Sequence, residues 1–268
     1  RDRGTKKTFT PVKKTAIELK IDYSTSEPNS EFLKTLEAGM IILCAYGAKL
    51  KPDIINSVRI GSYNIHPSLL PKYRGASPVI TAILQGEQYT GVSVMKMDEG
   101  LDTGNIVAQS GFIQISSEDT AGTLTNKLFQ EGTKLVIKTI SKLKEDKNFE
   151  IPQNNQEASF TKIIRKEDGR INWNERAEEI EREIRAYNPW PMAFSSWNNK
   201  NLKIIKAEIS EHISKKPGSI INREKKVFVA TKMGSLELQV VQIEGKSPIK
   251  MEDFINGYPS FIGSILDS

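Results

Sequence analysis

The stretch YNIHPSLLPKYRGASP, residues 63–78, contains the end of a β-strand, a turn-rich loop and the beginning of a helix. The strand is predicted to end at His66, because the following Pro67 lacks the N–H group that a central strand donates. Ser77 and Pro78 form a typical N-cap and first position of a helix. Strand, loop and helix in this order predict one unit of an α/β domain.

The segments on both sides of this stretch continue the alternation of strands and helices. A continuous apolar run at residues 40–47 predicts a strand that is buried on both faces of a parallel sheet. Residues 91–97 and 106–115 predict two further strands, and leucine and isoleucine recur at helical spacing through residues 120–144. This alternation predicts an α/β domain with a mostly parallel sheet.

The composition changes after Lys147, where the sequence becomes polar and rich in Asn and Gln. We interpret residues 149–168 as a linker that separates a first domain at residues 1–148 from a second at residues 169–268. The second domain contains several short strand-like runs, which is the pattern of a small β-barrel. Two domains also agree with the length of 268 residues, because single cores stop growing at roughly 250–300 residues.

The composition also excludes several classes of protein. With 38% hydrophobic and 26% charged residues and no apolar run near the ~20 residues that cross a bilayer, no membrane association is expected. The single cysteine, Cys44, excludes an internal disulfide and is predicted to be a small buried side chain in a reducing compartment. Trp173, Trp190 and Trp197 are predicted to be packing residues. A net charge of +5 favours a polyanionic partner such as nucleic acid without deciding the question.

Candidate catalytic residues come from the predicted strand end and from a later loop. Asn64 and His66 are two positions apart, so on a strand their side chains project from the same face. The loop DEGLDTG, residues 98–104, follows another predicted strand and is expected to bring Asp98 and Asp102 to the same end of the sheet. A structural histidine and a solvated pair of carboxylates are the alternative interpretations of these residues.

An amide, an imidazole and a carboxylate at one point suit acyl-type transfer. The Asn64 amide can donate a hydrogen bond to a developing oxyanion, and His66 can do the same or carry a proton near neutral pH. Asp102 can fix the imidazole tautomer and raise its basicity. The sequence carries no recognisable nucleophile motif and no metal-ligand motif, so we expect direct transfer between two bound substrates, without a metal.

Three motifs resemble those of the N10-formyltetrahydrofolate-dependent formyltransferases: NIHPSLLP at residues 64–71, YRGA at residues 73–76 and LDTG at residues 101–104. By this resemblance, the family's catalytic Asn, His and Asp fall on Asn64, His66 and Asp102. The resemblance covers essentially the whole chain and implies a Rossmann-like catalytic domain joined to a C-terminal OB-like barrel. It also implies that N10-formyltetrahydrofolate is the formyl donor.

Further motifs narrow the resemblance. RGASP at residues 74–78, GRINW at residues 169–173 and RAYNPWP at residues 185–191 are similar to the family members whose acceptor is methionyl initiator tRNA. This implies transfer of the formyl group to the α-amino group of that tRNA's methionine, for translation initiation. The resemblance further implies a folate site formed by Ser68, Leu69, Leu70, Pro71, Cys44, Ala45, Tyr46 and Asp98.

The resemblance also implies how tRNA is held. The basic opening segment is expected to contact the acceptor end through Arg3, Lys6 and Lys7, and Lys206 belongs to a basic second domain that could follow phosphates. It implies a monomer, and we expect the bacterial cytoplasm, with an organelle as the alternative. The family's opening strand, helix and strand are not in this sequence, so about 30 residues of its fold are expected to be missing.

Three alternative functions stay open at this point. The same catalytic residues would serve a glycinamide ribonucleotide formyltransferase or a formyltetrahydrofolate hydrolase. The second, basic domain argues against both, because neither a small phosphorylated acceptor nor water needs such a surface. The third alternative is an inactive, truncated tRNA-binding form, which folate-dependent turnover with methionyl-tRNA would exclude.

Overall fold

The structure, a computed structural model, describes residues 9–145, 149–211 and 213–267. The first half of the chain alternates short helices and strands and ends in one long helix. Its elements are α1 Pro11–Glu18, α2 Ser30–Thr35, β1 Met40–Cys44, α3 Pro52–Ile55, β2 Gly61–His66, α4 Pro78–Leu84, β3 Tyr89–Thr90, β4 Ser93–Lys96, β5 Ile106–Gln109, β6 Ile113–Gln114 and α5 Ala121–Glu145.

The second half of the chain is dominated by strands. Its elements are α6 Ala177–Ala186, β7 Ala193–Trp197, β8 Lys200–Ser210, β9 Ile220–Arg223, β10 Lys226–Ala230, β11 Ser235–Ile243, β12 Ile249–Lys250 and α7 Met251–Gly257, with 3₁₀ turns at Asn155–Glu157, Lys166–Gly169 and Pro259–Phe261. No helix in the described ranges has both the length and the apolar character that a membrane crossing requires.

The central sheet of the first domain has the strand order β1-β2-β4-β5 and is mixed. β1 and β2 are parallel, whereas β2–β4 and β4–β5 are antiparallel. The β4–β5 connection, residues 97–105, is shorter than the dozen or so residues of a parallel crossover, so this pair must be antiparallel. The predicted α/β, Rossmann-like architecture is confirmed, with its parallel pairing limited to β1–β2 among the described strands.

Two local predictions for this sheet need correction. Residues 106–115 form two short strands, because β5 pairs with β4 whereas β6 pairs with β3. β1 is not buried on both faces: among the described strands it has a neighbour on one side only, and Ile42 is 37% exposed. For the same reason Cys44, at the end of this edge strand, is exposed and not the buried residue that the sequence predicted.

The core of the first domain lies between the sheet and α5. Tyr63, Ile65 and Val94 of the sheet pack with Val136 of the helix, and each is at most 5% exposed. Burying a side chain of this size contributes about 1.5–3 kcal/mol. The helix comes close because Gly132 has no side chain; a Cβ there would lie 2.4 Å from the Ile65 methyl group. This core fixes β2, which carries the two candidate catalytic residues.

The second domain is an antiparallel sheet of six strands, ordered β7-β8-β11-β10-β9 with β12 beside β11, and the predicted OB-like barrel fits it. Trp197 contacts the rings of Phe254 and Phe261 edge to face, and Trp173 is fully buried. The packing role is therefore confirmed for Trp173 and Trp197. It is wrong for Trp190, which is 55% exposed because it lies in the proline-flanked turn between α6 and β7.

The segment between the two domains runs along the first domain. Ile151 exchanges two backbone hydrogen bonds of 2.8 Å with Ile106 of β5. The second domain contacts the first through α6, where Arg182 Nε donates to the Leu84 carbonyl at 3.1 Å and Arg185 Nη1 to that of Asp119 at 3.1 Å. These contacts place the second domain against the end of α4 and the segment that leads into α5.

Candidate active site

A cleft of about 570 Å³ opens beside the end of β2. This volume falls within the roughly 300–1,000 Å³ of sites that hold a small molecule or cofactor. Its walls come from the segment after β1, from β2, from the start of α4, from the loop after β4 and from α5. The polar and aromatic residues that line it are Tyr46, Lys49, Asn64, His66, Ser77, Asp98, Asp102, Thr125 and Phe129.

The structure brings the three predicted catalytic residues together in this cleft. Asn64 and His66 both line it, as their shared face on β2 predicts, and His66 is only 3% exposed. Asp102 Oδ2 lies 3.6 Å from His66 Nδ1. Among the described residues, no hydrogen-bond partner is seen for the Asn64 amide, so both of its N–H groups are available to a ligand.

Asp102 reaches His66 by a route that differs from the prediction. Because β4 is antiparallel to β2, its last residue, Lys96, pairs with Tyr63 and not with His66. The loop after β4 therefore leaves at the far end of β2 and folds back over the cleft. The expected proximity is correct, but the expected cause, strand ends at one edge of a parallel sheet, is wrong because the pairing is antiparallel.

The hydrogen bonds of His66 define which ring nitrogen carries a proton. Nε2 lies 2.9 Å from the carbonyl oxygen of Tyr73, and since a carbonyl only accepts, Nε2 is the donor. A neutral ring would then present a bare Nδ1 to the Asp102 carboxylate. Nδ1 therefore faces Asp102 Oδ2 at 3.6 Å, a separation longer than a direct hydrogen bond. The tautomer is thus fixed by the Tyr73 carbonyl and not by Asp102.

Backbone conformation holds the Asp102 carboxylate in the cleft. Asp102 has φ +54°, a left-handed conformation that aspartate tolerates better than most residues. Its Oδ2 accepts a hydrogen bond of 2.8 Å from the Gly75 N–H. Gly104, at the end of the LDTG motif, passes so close to β4 that a Cβ would overlap the Lys96 carbonyl oxygen at 1.8 Å. The LDTG motif therefore supplies both the backbone conformation of this loop and the carboxylate of Asp102.

Tyr73 and Glu87 support the site, and sequence reasoning missed both roles. The Tyr73 hydroxyl donates to Glu87 Oε1 at 2.5 Å, which anchors the residue whose carbonyl binds His66. Burial and the Glu87 carboxylate raise the pKa of the Tyr73 hydroxyl. Tyr73 has φ +60°, another left-handed conformation. The YRGA motif pointed to Tyr73, but nothing local in the sequence pointed to Glu87.

The structure divides the predicted folate residues into two groups. Ala45, Tyr46 and Asp98 line the cleft, although the Asp98 carboxylate also accepts bonds from its own loop, from Gly100 N–H at 3.0 Å and Thr103 Oγ1 at 2.8 Å. The other predicted residues are not among those that line it: Cys44, Ser68, Leu69, Leu70 and Pro71.

The SLLP loop packs beside the cleft instead of forming its wall. Ser68 is fully buried and donates to the Lys72 carbonyl at 2.6 Å. The Ser93 hydroxyl of β4 accepts from the Leu70 N–H at 3.0 Å and donates to the Ser68 carbonyl at 2.7 Å. These bonds fix the loop against β4, so it sets the position of Tyr73 and Arg74.

The predicted tRNA contacts are placed only in part. Arg3, Lys6 and Lys7 lie outside the described residues. Lys206 is exposed on β8, and its Nζ lies 3.2 Å from Glu118 Oε2 of the first domain. An exposed ion pair of this kind contributes about 0–1 kcal/mol to stability. Lys206 can therefore exchange this partner for a phosphate at little cost.

The chain matches two known domain profiles. Residues 1–140 match the formyl transferase domain, and residues 163–259 match the formyl transferase C-terminal domain. The methionyl-tRNA formyltransferase of Agathobacter rectalis is 38% identical over 95% of this chain and 84% of its own length. That of Clostridium tetani is 38% identical over 99% of this chain and 88% of its own length.

Solved structures show the same fold. HypX from Aquifex aeolicus, crystallised with tetrahydrofolic acid, superposes with a TM-score of 0.66 at 19% identity over 89% of this chain and 42% of that protein. An N-formyltransferase from Helicobacter canadensis, solved with folinic acid and dTDP-3-aminofucose, gives a TM-score of 0.62 at 25% identity over 84% of this chain and 80% of that one. With the two domain profiles and the near full-length relatives, the chain belongs to the formyl transferase family and, within it, to the methionyl-tRNA formyltransferases.

Proposed function

We propose that this chain transfers the formyl group of N10-formyltetrahydrofolate to the α-amino group of methionyl initiator tRNA. The observation that carries the proposal is the cleft in which Asn64, His66 and Asp102 converge, with the Nδ1–Oδ2 distance of 3.6 Å. The acceptor rests on the relatives, which are methionyl-tRNA formyltransferases matched over nearly the whole chain. Formylated methionyl-tRNA would then serve translation initiation.

The arrangement suits a direct displacement at the formyl carbon. The neutral amine attacks this carbon, a C–N bond forms, and the formyl oxygen becomes an oxyanion. The free Asn64 amide and the His66 ring, which both line the cleft, would stabilise that oxyanion. Asp102 takes a proton from the attacking nitrogen and supplies one to N10 as the bond from N10 to the formyl carbon breaks, so no net proton is lost.

The cleft fits the folate donor in size and lining. An apolar wall with few convergent polar groups is typical of cofactor sites. We propose that Ala45, Tyr46 and Asp98 contact the folate directly. Ser68, Leu69, Leu70 and Pro71 would shape the site through the loop that they form, and Cys44 through the end of β1. When bound, the donor supplies the activated formyl group; the protein residues bind it, orient it and move the protons.

The tRNA would be held by the basic opening segment and by the second domain. We propose that Arg3, Lys6 and Lys7 contact its acceptor end and that Lys206 exchanges Glu118 for a phosphate. The domain boundaries 1–148, 149–168 and 169–268 belong to the same proposal. A monomer suits the proposal, because one chain supplies both the cleft and the basic second domain. The bacterial origin of the relatives supports a bacterial cytoplasmic protein.

Product identity tests the proposal. The intact protein is incubated with labelled N10-formyltetrahydrofolate and either charged initiator tRNA, water alone or an amino sugar nucleotide. We expect label on methionyl-tRNA, with the rate reduced about 10²–10³-fold in His66→Ala. Label released as formate would assign a hydrolase, label on the amino sugar would assign a small-amine formyltransferase, and no turnover at all would assign an inactive tRNA-binding form.

A further inference from the structure

We infer that Gln153, in the segment between the two domains, is a positioning residue that holds the catalytic loop around Asp102. The inference rests on the proposed function and deepens it, because it extends the active site into a segment that sequence reasoning treated as a linker. Three sets of contacts carry it: the backbone register of the segment, the side-chain bonds of Gln153 and the connection to Arg74.

The backbone places Gln153 over the loop between β4 and β5. Ile151 and Ile106 exchange hydrogen bonds of 2.8 Å in both directions, so the segment is in register with the beginning of β5. Glu150, one residue earlier, accepts a bond of 2.9 Å from Lys96 at the end of β4. Glu150 and Ile151 thus attach the segment to both strands that flank the loop. Gln153 follows Ile151 by two residues.

Every hydrogen-bonding group of the Gln153 amide has a partner at the active site. Nε2 donates to the carbonyl oxygens of Asp102 at 2.9 Å and Gly104 at 2.7 Å. Oε1 accepts from Arg74 Nε at 3.0 Å and Nη2 at 2.8 Å. Two donors and two acceptor positions are the full capacity of an amide side chain. Because the guanidinium can only donate and the two carbonyls can only accept, this orientation of the amide is the one that satisfies all four bonds.

These bonds fix the conformation that points the Asp102 carboxylate at His66. Asp102 has φ +54°, and such a conformation persists only where surrounding contacts determine it. Gln153 binds the carbonyls on both sides of Thr103, so the loop cannot relax without breaking two bonds. Asp102 Oδ2 then stays 3.6 Å from His66 Nδ1 and 2.8 Å from the Gly75 nitrogen.

The other side of the amide reaches the group that orients His66. Arg74 is 2% exposed and lies between Tyr73, whose carbonyl binds His66, and Gly75, whose N–H binds Asp102. Its guanidinium is held by Gln153 and by Asn155 Oδ1 at 2.9 Å. Its backbone exchanges bonds of 2.8 Å with Ser159 and Thr161 of the same segment. Gln153 therefore couples the Asp102 loop to the YRGA turn.

Two substitutions of Gln153 distinguish a role in positioning Asp102 from a role in merely attaching the segment to the first domain. Gln153→Glu keeps an acceptor for Arg74 but loses both donors to the Asp102 and Gly104 carbonyls. Gln153→Met is close in shape and uncharged and also lacks the donors, so it controls for the added charge and carries the test if the Glu variant does not fold. Asn155→Ala is the matched control, since it removes one Arg74 acceptor and its side chain makes no described contact with the Asp102 loop.

The experiment is steady-state formylation of methionyl initiator tRNA by the intact protein, with KM, kcat and the pH profile of kcat for each variant. Both Gln153 variants are expected to lose about 10²-fold in kcat, as for a misplaced catalytic group, with KM for tRNA and donor near the parent values. The pH profile of kcat should change, because Asp102 is no longer held 3.6 Å from His66. Asn155→Ala should retain kcat and the profile.

Unchanged kcat and pH profile in Gln153→Met, with a fall in melting temperature like that of Asn155→Ala, would overturn the inference and leave Gln153 a structural attachment. Asp102→Asn is measured alongside to keep the two proposals apart. If Asp102→Asn itself retains full activity, the proposed catalytic role fails whatever Gln153 does. If Asp102→Asn is impaired and both Gln153 variants are not, only the positioning role fails.

Discussion

The cleft of the first domain and the exposed lysines of the second domain use polar groups in opposite ways. In the cleft, His66 is 3% exposed and bound to a backbone carbonyl at 2.9 Å, and its carboxylate partner is held by a backbone N–H. In the second domain, the side chains of Lys206 and Lys226 are 47% and 59% exposed, and each pairs with a glutamate. Proton transfer requires donor and acceptor atoms at fixed distances. Phosphate binding requires exposed, flexible cationic side chains that can reach the phosphate.

This comparison predicts its largest effect at Asp102. Asp102→Asn keeps the shape and an acceptor for the Gly75 N–H but removes the proposed acceptor for the amine proton. We expect kcat to fall about 10²–10⁴-fold, the usual contribution of a positioned general base. Single-turnover formylation at saturating tRNA measures this, with a filter-binding assay as the control for tRNA affinity. Equal losses in kcat and in tRNA affinity would show that the cleft and the binding surface are not separate.

The aromatic core of the second domain is the next test. Trp197→Ala removes a ring, 5% exposed, that contacts Phe254, Tyr258 and Phe261. Truncating a buried aromatic side chain costs about 3–5 kcal/mol of unfolding free energy. Urea unfolding followed by fluorescence and by far-UV circular dichroism checks this value. The variant that stays folded should keep the cleft chemistry; loss of kcat at full tRNA occupancy would contradict the separation of the two regions.

Glu183 of α6 predicts a dependence of stability on pH. Burial, together with the nearby Glu175 and Glu179 carboxylates, raises the pKa of Glu183 to about 7. The folded state therefore binds a proton more readily than the unfolded one, so this group stabilises the fold below its ordinary pKa and loses that contribution as pH rises through 7. Glu183→Gln should be more stable than the parent above pH 7 by about 3 kcal/mol, since one pKa unit corresponds to about 1.4 kcal/mol. Unfolding curves between pH 4 and 9 would show the parent and the variant converging at low pH; parallel curves would contradict this account.

The smallest effect is expected at Lys206. Removing its exposed pair with Glu118 in Lys206→Ala should change unfolding free energy by less than about 1 kcal/mol. Loss of one phosphate contact should instead reduce the slope of log affinity for tRNA against log salt by about one. Glu118→Gln is the matched control, because it breaks the same ion pair and leaves the lysine charge. An unchanged salt slope in Lys206→Ala would remove Lys206 from the tRNA surface.

The sequence predicted those parts of the site that lie within one motif. Asn64 and His66 share a face because strand residues alternate. The LDTG loop, which belongs to a separate motif, also reaches them, but it leaves from the end of β2 opposite to the one expected. The wrong predictions concerned contacts between segments that are far apart in the sequence. β1 is an edge strand among those described, and Cys44 is exposed. β4 runs antiparallel to β2 and not parallel to it. Local apolar runs do not reveal strand order or direction.

The supporting contacts were also beyond sequence reasoning, for a physical reason. Glu87 lies 14 positions from Tyr73, and Gln153 lies 79 positions from Arg74. Both depend on tertiary folding that brings polar groups together, and neither residue type is distinctive in a polar segment. Trp190 shows the opposite error, because a large aromatic residue suggested burial but lies in an exposed turn.

The most direct test of the account is the single-turnover rate of formyl transfer to methionyl initiator tRNA by the intact protein and by Asn64→Ala, at saturating tRNA and donor. Asn64 lines the cleft and offers an amide with no partner among the described residues. The account predicts a rate about 10²–10³-fold lower in the variant with tRNA affinity unchanged. An equal rate in the two proteins, or formate as the only product, would contradict it.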